Sequence, residues 1–230
     1  MKSRPIQLVL LSSILVAISA NAQEQPCPDR SDAIPAAIFD SEVNHRRISI
    51  LSPTWSSDEQ LRFTWFSAYV GQNGNLDNIC CFSSSRTITN VQTEKLLDNL
   101  RKIRFEPASL NDRHMNVYVN FTIIGVKTDA GFESRLFMSQ LQSKDKHGIN
   151  YTAPQRVNRN GRPPSTRSRS EFTVDVSKEG RPSNASATQW AKGSNKMKQR
   201  FMDHMLDQCF VPGTVDGEAI AIPYFETFQN

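Results

Sequence analysis

The sequence predicts an α+β fold made of two tandem copies of a strand-strand-helix-strand unit, with pairing of the copies about a pseudo-two-fold axis as one arrangement open to it. Three observations lead there. Two segments about 105 residues apart hold the same order of signals. Each opens with an apolar-polar alternation that runs into a glycine turn, Gln72-Asn73-Gly74 in the first and Lys178-Glu179-Gly180 in the second. Each then closes a helical pattern on a Phe-x-Pro stop, Phe105-Glu106-Pro107 and Phe210-Val211-Pro212.

Taken in chain order, residues 1–22 read as an export signal. Lys2 and Arg4 precede an apolar run from Ile6 to Ile18, and Ala20-Asn21-Ala22 supplies the small residues that a signal peptidase accepts, so cleavage is expected after Ala22. The run is shorter than the roughly 20 residues that span a bilayer, so no stable membrane insertion is expected after cleavage. No cysteine directly follows the cleavage site, which speaks against lipid attachment. The predicted location is the periplasm. Losing Lys2 and Arg4 takes the formal charge from +4 to +2, which excludes a global nucleic-acid binder. Residues 23–60 form an N-terminal extension with Pro26, Pro28, Pro35 and Pro53, a predicted strand at Arg47 to Leu51, and Cys27 to tie it down.

The first copy spans 61–126. Its leading strand contains Phe66-Ser67-Ala68-Tyr69-Val70, and Leu76, Ile79 and Cys81 mark a second strand after the turn. Leu96, Leu97, Leu100 and Ile103 recur at helical spacing behind a predicted Asn90 N-cap. Asn111-Asp112 then turns the chain into a last strand with Val117, Val119, Phe121 and Ile123. The second copy spans 166–230 and repeats the scheme. It has Phe172 to Val176, then Pro182, Ala185 and Ala187, then a helix with Met197, Phe201, Met205 and Leu206 behind Ser194. Asp216-Gly217 leads into Ile220, Ile222, Tyr224 and Phe228.

Residues 127–165 connect the copies, and Phe132 to Leu141 fits either a strand or a short helix. From Gln155 to Ser170 the chain holds Arg156, Arg159, Arg162, Arg167 and Arg169 with no acid. A solvated loop is the first reading of this run, and a patch for anionic headgroups or glycan the second.

The residues quoted so far resemble the C-terminal domain of TonB-type energy transducers. The likeness is closest at Val70 to Gly74, at Leu96 to Ala108 with its Arg104-Phe105-Glu106-Pro107-Ala108 ending, and at Val117 to Phe121. The second copy contributes Phe172 to Gly180 and Phe210 to Pro212, with Tyr151 to Val157 faintly like the family's leading Tyr-Pro segment. Transducers have one copy, a retained membrane helix and a long proline-rich stretch; this chain has two copies and shows neither of the others, and it adds cysteines to the pattern. In that family the last strand region engages a short receptor peptide. The resemblance therefore implies partner-binding edges at Val117, Val119 and Phe121 and at Ile220, Ile222 and Tyr224.

Cys27, Cys80, Cys81 and Cys209 all lie beyond the signal, where oxidation is permitted, and two disulfides are expected. Neighbours on a strand point to opposite faces. Cys80 and Cys81 are therefore expected to take different partners, one being Cys27 and the other Cys209. A redox role for the adjacent pair lacks the helix N-terminus that would lower a thiol pKa. The four histidines, His45, His114, His147 and His204, show no metal-ligand spacing, and no nucleophile or phosphate-binding motif is present. The sequence thus predicts no catalytic residue, no metal and no cofactor. Trp55, Trp65 and Trp190 fit either stacking on a ligand or buried packing.

The function expected from these features is a non-catalytic periplasmic binding or adaptor protein. Its partner would be a periplasmic or outer-membrane protein whose extended segment adds to an edge strand, with a link to TonB-dependent transport. A self-paired envelope scaffold that uses the arginine-rich run is the competing expectation.

Overall fold

The computed structural model describes residues 27–49, 51, 61–83, 90–129, 131–139, 146–148, 150–157, 169–190 and 193–228. The predicted signal, Trp55, Arg159, Arg162 and Arg167 lie outside them. The described chain is mixed α+β, with mostly antiparallel sheets and three helices.

An N-terminal strap holds β1 (Ala37–Ile38) and α1 (Glu42–Ser49). The predicted strand at Arg47 to Leu51 is therefore corrected to the end of a helix. Ser41 caps it by accepting the Asn44 amide at 3.2 Å, and Asn44, Ile48 and Leu51 fall on one buried face at spacings of four and three. Ile48 and Ile50 mimic strand alternation, but the cap sets the period.

The first half follows as β2 (Leu61–Val70), β3 (Leu76–Ser83), α2 (Asn90–Leu100), β4 (Phe105–Glu106), β5 (Ala108–Leu110), β6 (Arg113–Met115) and β7 (Val117–Thr128). The described part of the connecting segment holds β8 (Gly131–Phe137), β9 (Tyr151–Thr152) and β10 (Gln155–Val157), so the ambiguous Phe132 to Leu141 stretch is strand up to Phe137, and its end lies outside the described residues. The second half runs β11 (Ser170–Val176), β12 (Pro182–Gln189), α3 (Asn195–Leu206), β13 (Phe210–Val211), β14 (Gly213–Val215), β15 (Glu218–Ile220) and β16 (Ile222–Phe228).

Both halves place the leading strand at the centre of an antiparallel trio, β3-β2-β7 and β12-β11-β16. The register sets Phe66 opposite Phe121, Ala68 opposite Val119 and Val70 opposite Val117, so alternate residues share the buried face. Leu96, Leu100 and Ile103 close over that face, and the Phe66 and Phe121 rings stack at 5.3 Å. In the second half Phe172, Val174 and Val176 meet Phe201 and Met205 of α3, with Phe172 and Phe201 stacked at 5.2 Å. Full burial of each such ring or branched chain contributes on the order of 1.5–3 kcal/mol. Met197 and Leu206 keep 38% and 40% of their surface exposed while Phe201 and Met205 keep none, so the fully buried stripe of this helix is narrower than its sequence suggests. Ser194 caps α3 as expected, its hydroxyl accepting the Met197 amide at 3.2 Å.

The two sequence signals that define each half are physically one device. Gly74 has φ +74° and Gly180 φ +75°, both in the left-handed region. Each turn receives the chain that leaves the helix: the Phe105 amide donates to the Gly74 carbonyl at 2.9 Å and the Phe210 amide to the Gly180 carbonyl at 3.0 Å. A Cβ on either glycine would sit 2.0 Å from the Phe105 carbonyl oxygen or 2.1 Å from that of Phe210. The same distance along each second strand, Asn78 and Asn184 both take φ +49° where the register shifts.

Candidate functional site

The strand edges decide what this fold can receive. β7 is not an edge strand. One side pairs with β2 throughout; the other pairs with β10 at Val117 and Tyr118 and with β8 from Thr122 to Thr128. Val117, Val119 and Phe121 are fully buried in the core, so the reading of these residues as an available edge is corrected. The reason is that the chain after β7 folds back on it twice. Ile220 is half-buried in β15 and faces Gly213, while Ile222 and Tyr224 are buried on β16 against β11.

The outer side of β16 is also blocked. The Phe225 carbonyl points away from β11 and accepts the Asn120 side-chain amide at 2.6 Å. Both polar groups of a residue face the same side in an antiparallel strand. Pro223 therefore turns its N–H-less nitrogen outward, as proline on a sheet edge does. Among the described residues no ladder joins β7 to β16; the last strands meet through side chains.

Arg156 organises that meeting. β10 carries it between β7 and β13, where its guanidinium forks onto Glu226, Nε to Oε2 at 2.8 Å and Nη2 to Oε1 at 2.9 Å, and lies 4.1 Å above the Tyr118 ring. The Tyr224 hydroxyl donates to Glu226 Oε2 at 3.0 Å. Burial opposes the charge on Arg156, but Glu226 and Tyr224 outweigh it and hold its pKa above the usual arginine value. Burial, reinforced by Glu226, drives the Tyr224 phenol well above its ordinary range. Burial and then Arg156 push His204 below the ordinary histidine value, against Glu226 and Asp207. Arg156 is thus a buried ion-pair partner, not part of a solvated basic loop. Arg169 is held by Glu171 Oε1 at 2.9 Å and 2.6 Å.

The cysteine expectation is corrected. Cys27 pairs with Cys209, with Cα atoms 5.6 Å apart, and Cys80 and Cys81 have no bond to either. Cys27 begins the strap beside the second half, where the Arg30 amide donates to the Glu179 carbonyl at 3.0 Å, whereas Cys80 and Cys81 sit on β3 of the first. Cys80 is exposed, and desolvation raises its thiol pKa, which disfavours the reactive thiolate.

Several strands pair on one side only among the described residues: β3, outside β2, and β12, outside β11, are two of them, and β15 and β16 likewise end their sheets. β12 contains no charged residue, and Ser183, Asn184, Ser186 and Thr188 are exposed. Trp190 is half-buried at its end, its ring 5.9 Å from both Phe172 and Phe201, and Trp65 is half-buried on β2. His45 pairs with Asp40 at 3.2 Å, His114 Nδ1 lies 3.2 Å from the Gln72 carbonyl, and the His147 ring packs on Tyr151 at 5.0 Å. Among the described residues no three His, Cys, Asp or Glu side chains gather as a metal-holding group, and no helix is long and apolar enough to cross a membrane.

Sequence reasoning missed Asn120, Gln155 and Glu226. A polar residue at one position in a strand looks solvent-facing until the second layer is known, so no local signal marks them. Comparison with family models, with curated proteins and with solved structures returns no match for this chain.

Proposed function

We propose that this chain is an exported, non-catalytic adaptor whose two TonB C-terminal-like units present the β12 edge, and secondarily the β3 edge, to an extended segment of a periplasmic or outer-membrane protein. The observation behind this reading is the β12 edge: small and polar side chains, no charge, and no described strand on its outer side, with Pro182 and the Asn184 bulge confined to its first residues. The chain supports it by its own habits, since β1 and β10 are short extended segments that add to β4 and β13. The recurring glycine turns and asparagine bulges support kinship of the two units. The receiving strand differs from the last-strand site that the resemblance implies, because β10 and β8 already lie along β7.

Photo-crosslinking in the cell tests the proposal, with the reactive residue at Ser186 and, as control, at Arg101, an exposed residue just after α2 and on no strand. Capture of one protein from Ser186 alone is the expected result, and its loss on Ala187→Pro, which removes a backbone donor, would identify strand addition. Equal capture from both positions, or none from Ser186, rejects it. The self-paired scaffold is the second reading, favoured by the Asn120–Phe225 contact between the last strands and by Arg156 of β10, which sits on Tyr118 of β7 and pairs with Glu226 of β16. It expects no capture from β12.

A further inference from the structure

The strap that Cys27 anchors is bound as a ligand would be. Ile34 and Ser109 exchange backbone hydrogen bonds at 2.8 Å and 2.9 Å, Ala37 and Ile38 pair with Glu106 and Phe105, and the Phe39 amide donates to the Arg104 carbonyl at 3.1 Å. Between these rungs, Gln155 substitutes for a strand: its side-chain carbonyl accepts the Ala36 amide and its NH2 donates to the Ala36 carbonyl, both at 2.7 Å. Backbone groups provide these rungs, and beyond them the Asn44 side chain donates to the Arg104 carbonyl at 2.8 Å and accepts the Arg104 amide at 3.1 Å. Ala36 has no exposure at all, and Ile38 is half-buried against the core.

The equivalent edge in the second half is filled differently. There β9 and β10 pair with β14 and β13, and β10 is also held by β7, so that segment is built in on both sides. Over Ile34 to Phe39 the strap has β4 and β5 on one side and one glutamine side chain on the other; it is tied to the second half by the Arg30–Glu179 backbone bond and covalently through Cys209. Cys209 is buried and Cys27 is only half-buried, which leaves Cys27 as the sulfur open to attack.

We propose that the edge along Phe105–Leu110 is a strand-acceptor site for an extended peptide with a small residue in the place of Ala36 and an apolar one in the place of Ile38. The chain's own strap occupies it, and the Cys27–Cys209 disulfide is the latch. A dithiol opens the latch: one thiolate attacks Cys27 Sγ, the S–S bond breaks, and Cys209 leaves as thiolate and takes up a proton. The second thiol then closes on the mixed disulfide and releases Cys27 as a thiol. The reagent is oxidised by two electrons and both cysteines are reduced. This site is separate from the β12 edge and is tested without it.

The test is amide hydrogen exchange on the full chain, oxidised and dithiol-reduced, with Cys27→Ser as the reductant-free equivalent. Exchange at Ile34, Phe39 and Ser109 should accelerate about tenfold or more on opening the latch, while Phe66 and Val174 amides in the two central strands keep their rates. A labelled peptide of residues 30–40 should then bind the reduced chain and not the oxidised one. Unchanged exchange at Ile34 and Ser109 overturns the latch. Acceleration of the core amides together with the strap overturns it too, because the strap would not be separable from the fold. Opening without peptide binding overturns the acceptor site.

Discussion

Replacing Glu226 with glutamine isolates the charge of the central ion pair from its shape. The Arg156 side chain is 3% exposed and Glu226 13%, and the fork is closed at 2.8 Å and 2.9 Å. Glutamine keeps the volume and one acceptor but leaves a guanidinium buried without its counter-charge. Breaking a buried pair from one side costs about 3–5 kcal/mol. The Tyr118 ring below Arg156 retains part of the stabilisation, so about 3 kcal/mol is expected. For a chain of this size each kcal/mol lowers Tm by about 2–4 °C, which predicts a fall of about 6–12 °C in calorimetry. Urea unfolding at neutral pH gives the same quantity independently, and the deficit should persist in about 1 M salt, since a buried pair is little screened. The triple variant Arg156→Met/Tyr224→Phe/Glu226→Leu removes both charges together with the buried hydroxyl that donates to Glu226, and should recover to within about 1 kcal/mol of the parent. A Glu226→Gln chain within about 0.5 kcal/mol of the parent would refute the reasoning, because the pair would then be behaving like a surface contact.

Two further predictions follow from the same structure. Gly180→Ala places a Cβ against the Phe210 carbonyl at positive φ, and should destabilise by about 2 kcal/mol or more in urea unfolding, with Gly74→Ala behaving alike through Phe105. His204 has a depressed pKa in the folded state, through burial and Arg156 and against Glu226 and Asp207. Its neutral form is therefore favoured by folding, so its contribution is full above the unfolded value of about 6.5 and is lost as pH falls through the folded value. Unfolding free energies measured from pH 7.5 down to about 5 should fall less steeply in His204→Gln than in the parent; equal slopes would remove His204 from the account.

Much of each half was legible because its signals are local. The alternation at Phe66 to Val70 and Phe172 to Val176, the glycine turns and Ser194 depend on neighbours within a few residues, and each formed as expected. Arg47 to Leu51 was misread because two isoleucines two apart satisfy a strand period, while the Ser41 cap that selects a helix lies upstream. The narrowed stripe of α3 reflects the small size of the three-stranded sheet it packs on, whose core takes in Phe201 and Met205 and leaves Met197 and Leu206 partly in solvent.

By itself the sequence determined the strand-strand-helix-strand order in both halves, since periodicity, turn glycines and caps act through short stretches of chain. Only the tertiary structure decided which strand edges stay open, which cysteines pair and where Arg156 goes. Those outcomes depend on segments that meet across long separations: β10 returns to β7, Cys27 reaches Cys209 across 182 residues, and Arg156 finds Glu226 on the last strand. Edge occupancy and charge burial are properties of the packed whole, in which a strand that looks terminal by its order in the chain becomes interior once another segment lies beside it.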